Sequence, residues 1–527
     1  MASRTRRFFL NTISLCASAL IMRGVGVAFN IYVSSRAGTV AMGLYSLIIG
    51  VYGFFITLGA CGINLGVTRL VSEALGNGDI ALAKKSIRVC LIFCAVSGLI
   101  ASAILFFMSP YIASNILCDT RCEISLRAMS LSLLPIAICS CLSGYFTAVR
   151  RVRLNSALST AIQIFKIFIT ITLLFILMPY GEEYACLALV LGMTVCEILL
   201  VCVSGILFLI DKRKYLKAVD TAQKPTKKIC KKLMGITIPV TVASCLRSLL
   251  ASLSHILIPL GLKKSGSSWS AALSSYGLIC SVVLPLILFP SAFISSFSGL
   301  LIPEVSECRV QGDTARLKRI AYRILTLSLF FSIGVAGIMT FLASDIGFTV
   351  YKSAEAGDFI RILAPLIPIM YIDSAVDAML KGMGKQVYSM IVNIIDAGTA
   401  CIIIFIFVPK FGIYGYILSI YVTEILNTTL SLIGMIRCIS PRLRAFHQVF
   451  LPTICICGAT CISNIILNVI NHPFSPAIEL IFHISLVVIL YAVLLLLTRA
   501  IGRDEKEVLY QSLIPKNQKK DGTVVPS

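Results

Sequence analysis

The chain has 527 residues, of which 58% are hydrophobic and 13% are charged, and its mean hydropathy is +0.94. A soluble domain carries about 25% charged residues, so this composition excludes an ordinary soluble globular protein. Apolar runs of about 20 residues, each long enough to cross a hydrocarbon core of about 30 Å, recur along the chain. Such runs must form helices or a closed barrel, and AIELIFHISLVVILYAVLLLLT (477–498) lacks the alternation of barrel strands. The composition therefore predicts an all-α, polytopic integral membrane protein.

The net charge of +22 sits mainly in short connectors between the apolar runs. The sequence shows no basic groove interleaved with aromatic residues and no finger spacing, so we predict no nucleic-acid partner. The enrichment of Lys and Arg on the cytoplasmic side of membranes explains the charge better.

The 20 cysteines lie mostly inside apolar runs, where they behave as small hydrophobic residues. The sequence has no paired CxxC motifs and no Cys–His spacing, which predicts no metal site. Cys118 and Cys122 flank a polar connector and could form a disulfide, although two free thiols are favoured. The N-terminal SRTRRFFL resembles a twin-arginine export signal, but no small-residue cleavage site follows before about residue 33. A basic cytoplasmic anchor before the first span is therefore favoured.

Apolar windows bounded by charge, Gly or Pro predict 14 transmembrane helices. These helices lie near 10–33, 40–64, 88–109, 126–148, 155–178, 184–210, 235–260, 270–297, 321–343, 360–380, 387–408, 412–436, 448–470 and 477–499.

Every second connector between these helices is rich in Lys and Arg, and the remaining connectors are poor in both. The rich set includes the segment 211–233, DKRKYLKAVDTAQKPTKKICKKL, whereas the poor set includes the acidic pair Glu182-Glu183. Because basic connectors stay in the cytoplasm, the asymmetry places both termini on the cytoplasmic side of the cell membrane. An even number of spans follows, in agreement with the 14 predicted helices.

One polar phrase occurs twice, as VSEALGNGDIALAKK at 71–85 and as VSECRVQGDTARLKR at 305–319, 234 positions later. Pro135 with Pro368 and Glu197 with Glu424 match at similar offsets. We infer a duplicated six-helix unit whose copies share one orientation and are related by an axis along the membrane normal. The predicted divisions are a first lobe 1–210, a basic linker 211–233, a second lobe 234–438, helices 13 and 14 in 439–500, and a basic tail 501–527.

Two parallel lobes around a site near the bilayer midplane are typical of alternating-access transporters, so we favour a transporter over a channel. The sequence has no nucleophile–base pair, P-loop or dinucleotide fingerprint, and GMGKQ (382–386) lacks the frame of a P-loop. We therefore predict no enzyme, no catalytic residues and no cofactor, except for a coupling Na⁺ or H⁺.

Arg23 and Arg247 lie in the middle of helices 1 and 7, and Asn30 follows Arg23 by two turns. An intramembrane charge costs about 2.5–3.5 kcal/mol and needs a partner or a watery cavity. Two arginines at the same depth in facing lobes are suited to bind a phosphate group through bidentate hydrogen bonds. The alternative is an arginine held by an internal carboxylate or extended to the interface. His255, on an apolar helix, is interpreted as structural or adjacent to the substrate rather than as a metal ligand.

Asp373, Asp377 and Lys381 recur at i, i+4 and i+8 and therefore share one face of helix 10. Two interpretations stay open: these residues couple or gate transport, or Asp377 and Lys381 form an ion pair that only stabilises the helix. Further candidates for buried charges are Asp396, Glu197, Glu424 and Lys166. A carboxylate of this kind could carry the coupling proton or sodium ion, and the choice of ion stays open.

In the first copy of the repeated phrase, Gly78-Asp79 predicts a turn with Asp79 as the N-cap of helix 3. Glu73 is expected to pair with Arg69, four residues earlier. Glu307 holds the equivalent place in the second copy, which is expected to behave alike. The two phrases would then mark cytoplasmic ends at which a gate could close.

The segment RGVGVAFNIYVSSRAGTVAMGLYSLIIGVYGFFITLGACGINLGVTRLVSEALGNGD (23–79) and its partial copy LIPEVSECRVQGDTARLKR carry a family likeness. With the predicted spans and repeat, they resemble the multidrug/oligosaccharidyl-lipid/polysaccharide exporter superfamily. Within it, the chain is similar to the stage V sporulation protein B-like polysaccharide transporters, over essentially its whole length.

The resemblance implies a V-shaped fold with an electropositive cavity between the lobes, Arg36 at its outer mouth and Arg69 at the cytoplasmic end of helix 2. It implies an undecaprenyl-pyrophosphate-linked glycan as substrate, such as lipid II for the spore cortex, and a groove for the polyprenyl tail on helices 13 and 14. The expected partners are this lipid-linked oligosaccharide, the bilayer and cell-wall synthesis proteins. Two rival functions stay open: a multidrug cation antiporter, which the mid-span arginines disfavour, and a non-transporting scaffold.

Overall fold

A computed structural model of the chain describes residues 2–60, 62–76, 79–149, 151–215, 226–295, 305–306, 308–309, 311–439, 446–469 and 475–498. Within these ranges it does not describe the side chains of residues 2–21, 76, 152–153, 156, 212–215, 226–228, 232, 236 and 239. The described ranges form helices and connecting turns without a β-strand, which confirms the all-α class.

The chain folds as two units. The first comprises Met1–Ala292 and Lys385–Ser431, and the second comprises Phe293–Gly384 and Leu432–Ser527. The helices up to the end of the first stretch are α1 (Ala2–Ala60), α2 (Ile63–Gly76), α3 (Ile80–Tyr111), α4 (Cys122–Ala148), α5 (Val152–Leu177), α6 (Glu182–Tyr215), α7 (Thr226–Lys264), α8 (Trp269–Gly277) and α9 (Leu284–Leu288). Those that follow are α10 (Thr314–Phe341), α11 (Ala343–Tyr351), α12 (Ala354–Leu363), α13 (Ile367–Gly382), α14 (Gln386–Phe411), α15 (Ile413–Ile436), α16 (Leu451–Val469) and α17 (Pro476–Leu497). The predicted lobe boundaries concern the repeats and stay a prediction.

Thirteen helical stretches among the described residues are long and apolar enough to span a membrane. The first, Met22–Leu75, has 54 residues and covers the first two predicted spans, while the other stretches match predicted spans 3–14 one to one. A polytopic helical membrane protein is therefore confirmed.

Helix α1 is two helices joined at a kink. Gly38 has φ 81° and ψ 164°, a conformation that side chains with a Cβ atom rarely adopt. The backbone turns there, so the segment before Gly38 and the segment after it account for two crossings. This agrees with the predicted boundary between helices 1 and 2.

After Gly38, helix α1 runs parallel to α8. Thr39 Oγ1 lies 2.7 Å from Ser274 Oγ, and Ser46 Oγ lies 2.5 Å from Ser281 Oγ. Between these pairs, Gly43 packs on Gly277 so closely that a Cβ atom on either would collide with backbone. We call these six residues the hydroxyl seam.

The hydroxyl seam pairs nearly equivalent positions of the two repeats. The residues in each hydroxyl pair are 235 positions apart, close to the offset of 234 between the two polar phrases. The two helices run in the same direction, as expected when an even number of spans separates them. This geometry is the one predicted for copies that share an orientation.

The same half of α1 runs antiparallel to α7. Ser252 Oγ donates to the carbonyl oxygen of Gly50 at 2.6 Å, and Thr57 Oγ1 donates to Ser248 Oγ at 3.2 Å. Gly50 lies against the His255 side chain, so its missing Cβ allows the close approach. Small residues thus bring α1 close to both α7 and α8, as is usual for helices packed in membranes.

In the second unit, α10 packs against α16 and α17. Tyr491 Oη donates to the carbonyl oxygen of Phe330 at 2.8 Å, and the Tyr491 ring fills the space beside Gly334. Ile456 occupies the equivalent place beside Gly337. Through these contacts α16 and α17, the last two spans, pack against α10 within this unit.

Several helix boundaries differ from the predictions. Helix α3 begins at Ile80, not near 88, because Asp79 caps it ahead of the basic residues. The region predicted as a connector before helix 10 contains α11, and α6 and α7 extend into the predicted linker. These additions are polar or short, so hydropathy windows miss them. Cys118 and Cys122 are both free thiols, as favoured.

Candidate functional site

Arg23 and Arg247 are both exposed side chains on helices that span the membrane. Arg23 lies about 22 Å before the kink at Gly38, and Arg247 lies about 26 Å before the C-terminal end of α7. Neither arginine makes a hydrogen bond or an ion pair with another described residue. No contact among the described residues joins the two arginines, and their equal depth and their role in binding stay predictions.

Asn30 and His255 make contacts within the first unit. Asn30 Nδ2 donates to the carbonyl oxygen of Ser281 at 2.8 Å, in a π-helical turn at Leu278–Val283. Such a turn disturbs the normal helical bonding, so the amide supplies a partner there. His255 Nδ1 lies 2.7 Å from Tyr276 Oη. Asn30 therefore joins α1 to the π-helical turn after α8, and His255 joins α7 to α8. A contact with substrate stays a prediction for both.

Arg36 and Arg69 lie at opposite ends of the first two spans. The guanidinium of Arg36 sits 6.0 Å from the centre of the Tyr32 ring, next to the kink at Gly38. Arg69 Nε lies 3.2 Å from Glu73 Oε1, so the predicted i, i+4 pair is confirmed. Both partners of this pair are partly exposed, and such pairs add little to stability.

The two copies of the polar phrase cap their helices in the same way. Asp79 Oδ1 accepts from the backbone N–H of Leu82 at 2.8 Å, which confirms the predicted N-cap of α3. Asp313 Oδ1 accepts from the N–H of Arg316 at 2.9 Å and caps α10. Glu307 lies outside the described residues, so its predicted gating role stays a prediction, as does that of Glu73.

Helix α13 holds the predicted acidic face in the second unit. Lys381 Nζ lies 2.5 Å from Asp377 Oδ2, which realises the predicted ion pair. Asp373 is half-buried one turn earlier on the same face. Asp396 is also half-buried, on α14 in the first unit. A coupling or gating role for these residues stays a prediction.

A second polar cluster, which sequence reasoning missed, lies in the connectors opposite the basic ones. Asp119 is only 5% exposed and accepts from Arg121 Nη2 at 2.7 Å and from Trp269 Nε1 at 2.8 Å. Arg121 Nη1 also contacts Glu182 Oε2 at 3.1 Å. We call Asp119, Arg121, Glu182 and Trp269 the outer cluster, after the side on which the pattern of basic connectors predicts it. Burial alone would raise the pKa of Asp119, but the hydrogen bonds from Arg121 and Trp269 outweigh it and hold that pKa below its ordinary value.

The predicted first repeat also contains an open cavity of about 580 Å³. Helices α1, α2, α4, α5 and α6 surround it, and its polar lining includes Asn64, Ser140, Ser143, Asn155, Glu197 and Ser204. We call it the first-repeat cavity. Only Glu197 among these was a candidate from the sequence. The serines and asparagines stand inside apolar runs, which is the signal that could have indicated them.

No group of three or more His, Cys, Asp or Glu side chains within the described residues is arranged to hold a metal ion. The polar groups of the first unit instead form helix-to-helix hydrogen bonds, the outer cluster and the first-repeat cavity. This arrangement can bind, orient or admit polar groups and water.

Comparisons with known proteins agree on a family. Residues 8–307 match the family described as "Polysaccharide biosynthesis protein", and residues 239–406 match the family named MatE. The chain is 27% identical over 519 residues to stage V sporulation protein B of Bacillus subtilis (strain 168), covering 96% of this chain and 98% of that protein. It is 22% identical over 409 residues to the lipid II flippase MurJ of the same organism, covering 72% of this chain and 73% of that one.

A solved structure shares the fold. The inward closed conformation of lipid II flippase MurJ superposes with a TM-score of 0.69 at 13% identity. The superposition covers 95% of this chain and 99% of the other. The all-α, polytopic membrane fold expected from the resemblance is therefore confirmed.

Proposed function

Because the chain belongs to the polysaccharide biosynthesis protein family, within the multidrug/oligosaccharidyl-lipid/polysaccharide exporter superfamily, we propose that it is a lipid-linked glycan flippase. The family and the relatives support a multi-pass membrane transporter that is homologous to flippases. The proposed substrate is an undecaprenyl-pyrophosphate-linked glycan such as lipid II, used for spore cortex peptidoglycan. Translocation proceeds by alternating access across the cytoplasmic membrane.

The exposed intramembrane arginines are the observation that carries this proposal. Arg23 and Arg247 keep their charge within spans, and neither has a carboxylate partner among the described residues. Keeping a charge in a span costs about 2.5–3.5 kcal/mol, so the positions need a compensating role. A pyrophosphate supplies that compensation, because a guanidinium binds phosphate oxygens in a bidentate manner.

Both termini face the cytoplasm in this proposal. The basic connectors lie on the same side as the repeated polar phrases, and the outer cluster lies on the other side. Substrate then enters from the side that the basic residues mark, where the lipid-linked precursor is made. Coupling to Na⁺ or H⁺ would drive the return of the empty carrier.

A second candidate, a multidrug cation antiporter, has one observation in its favour. Residues 239–406 match the MatE family. A cationic substrate would meet the positive potential of Arg23 and Arg247, however, so this function is the weaker one.

Reconstitution into liposomes tests the two candidates directly. We expect movement of fluorescent lipid II between leaflets, and no efflux of an organic cation. Arg23→Ala and Arg247→Ala should each slow lipid II movement about 10- to 100-fold, because each removes a charge-assisted hydrogen bond worth about 1.5–3 kcal/mol.

Arg127→Ala is the matched control, since this membrane arginine already pairs with Glu123 at 2.8 Å. It should flip lipid II at nearly the original rate. Cation efflux without lipid II movement would reject the flippase. A normal rate for both Arg23→Ala and Arg247→Ala would remove the arginines from the binding role.

A further inference from the structure

The first-repeat cavity is lined both by residues near helix ends and by residues near the middle of the spans. Its volume of about 580 Å³ far exceeds the roughly 30 Å³ that one water occupies. Ser143 and Asn155 line it near the helix ends that flank the basic connector between α4 and α5, and Asn64 lines it in the first turn of α2. Glu197 lines it near the middle of the span Glu182–Asp211, about 21 Å from either end.

The entrance of the cavity is polar and hydrogen-bonded. Asn155 Nδ2 donates to Ser143 Oγ at 2.9 Å, and Asn64 Nδ2 donates to the same oxygen at 3.2 Å. Ser140 Oγ, one turn deeper, donates to the carbonyl oxygen of Ala60 at 3.3 Å. Amide and hydroxyl groups on three helices thus make a wettable path toward Glu197, which an apolar cavity would not provide.

Among the described residues, one opposite charge interacts with Glu197. Lys166 on α5 lies in the middle of its span, and its ammonium interacts electrostatically with the Glu197 carboxylate. No hydrogen bond or ion pair joins either side chain to another described residue. The other titratable groups that face Glu197 are Tyr52 on α1, Cys139 on α4 and Cys196 on α6.

The chemistry of this lining fits a proton better than a metal ion. Glu197 is the only carboxylate among the described lining residues, and the positive charge of Lys166 disfavours a second cation such as Na⁺ at that carboxylate. A proton needs only one carboxylate and a path through water. When Glu197 takes up a proton, the pair passes from net neutral to positive, and Lys166 remains as the counter-charge when the proton leaves.

We propose that the first-repeat cavity is a proton-binding site, in which Glu197 takes a proton from water that enters beside the basic connectors. This inference deepens the proposed function, since it assigns the coupling ion and its carrier, and it rests on that function only for the coupling step. The proton leaves to water on the same path or, after the carrier reorients, on the other side.

Infrared difference spectroscopy tests the site without any substrate. The whole protein in lipid nanodiscs should show a carboxylic acid C=O band that grows on acidification. Glu197→Gln should remove this band, Glu197→Asp should move it, and Glu123→Gln, which changes an ion-paired carboxylate on α4, should leave it unchanged. Lys166→Gln should raise the midpoint of the band by about 1 pH unit or more, because an opposite charge favours the ionised form.

Proteoliposomes with labelled lipid II test the coupling. A pH gradient should accelerate lipid II movement several-fold in the original protein, and Glu197→Gln should abolish the acceleration. A band that persists in Glu197→Gln, or one that follows Na⁺ concentration at constant pH, would overturn the proton site. If neither the original protein nor any variant moves lipid II, the proposed function is wrong. The infrared result still shows whether Glu197 binds a proton.

Discussion

Asp79 and Asp313 occupy equivalent places in the repeated phrase and use the same local interaction. Each accepts a hydrogen bond from the backbone N–H three residues later, at the start of α3 and α10 respectively. The first N–H groups of a helix have no intrahelical partner, so an aspartate there satisfies one of them. At the residue scale the two copies of the phrase therefore share a capping interaction as well as a sequence pattern.

Removal of either cap should destabilise the protein by a similar amount. We expect Asp79→Ala and Asp313→Ala each to lower the free energy of unfolding by about 1 kcal/mol, measured by thermal unfolding in detergent. Asp358→Ala is the control, because Asp358 is exposed within α12. An unchanged midpoint in both cap variants would show that the caps carry no stability.

The outer cluster should make stability depend on pH in acid. The folded-state pKa of Asp119 lies below its ordinary value, so its contribution is complete above that ordinary value, about 3.9. The contribution is lost as the pH falls through the lower, folded-state pKa. Asp119→Asn should remove this part of the pH dependence and cost about 1–3 kcal/mol at neutral pH, since Arg121 and Trp269 lose a charged acceptor.

Trp269 provides the measurement, because it is the only tryptophan in the chain. Its fluorescence should change as the cluster opens in acid, and the change should be absent in Asp119→Asn. Glu182→Gln, which alters only the more exposed arm of the cluster, should retain most of the change. A fluorescence titration identical in the original protein and in Asp119→Asn would contradict the assignment.

At the scale of elements, the hydroxyl seam is held by small residues and paired hydroxyl groups. Neither α1 nor α8 could approach so closely with larger side chains at Gly43 and Gly277. In lipid the hydrophobic effect does not bring helices together, so close packing and hydrogen bonds between helices have to do so. The seam therefore depends on its glycines more than a soluble helix pair would.

Gly43→Val should separate α1 from α8. The added Cβ atom would collide with the backbone of Leu273, and overpacking of this kind costs about 1–3 kcal/mol. Gly53→Val is the matched control on the same half of α1, because a Cβ atom there meets nothing within 4 Å. Thermal unfolding in detergent should show a clear loss for the first variant only. Equal losses would mean that helix propensity, not packing, sets the effect.

At the scale of the whole molecule, charge asymmetry and span number describe one topology. The basic connectors alternate with poor ones, and the described spans match the predicted ones in order. Translocation of Lys and Arg across the membrane is disfavoured, so their distribution sets the orientation of every helix.

Epitope insertion should reveal this orientation in intact cells. An epitope after Gly266 should react with an antibody applied outside spheroplasts, whereas one after Gly312 should react only after the membrane is opened. Both glycines have positive φ in turns, so an insertion there disturbs no helix. External reaction at Gly312 would reverse the proposed orientation.

The features that the sequence determined by itself are the local ones. Span number, the boundary at Gly38, the Asp79 cap and the Arg69–Glu73 pair all depend on a run of residues or on neighbours within four positions. Hydropathy, backbone freedom and capping depend on residues that are close in the sequence. The repeat is visible because the two phrases can be compared directly in the sequence. Even Asp377–Lys381, one of two open interpretations of α13, is such a pair.

Only the tertiary structure decided which distant residues meet. Asn30 binds a carbonyl 251 residues away, Asp119 binds Trp269 150 residues away, and five helices together line the cavity around Glu197. A helix that is apolar on nearly every face carries no stripe that identifies its neighbours, so periodicity could not indicate these contacts. Lipid and protein are equally acceptable to an apolar side chain, and the small or polar residues that choose between them act only once the helices have packed.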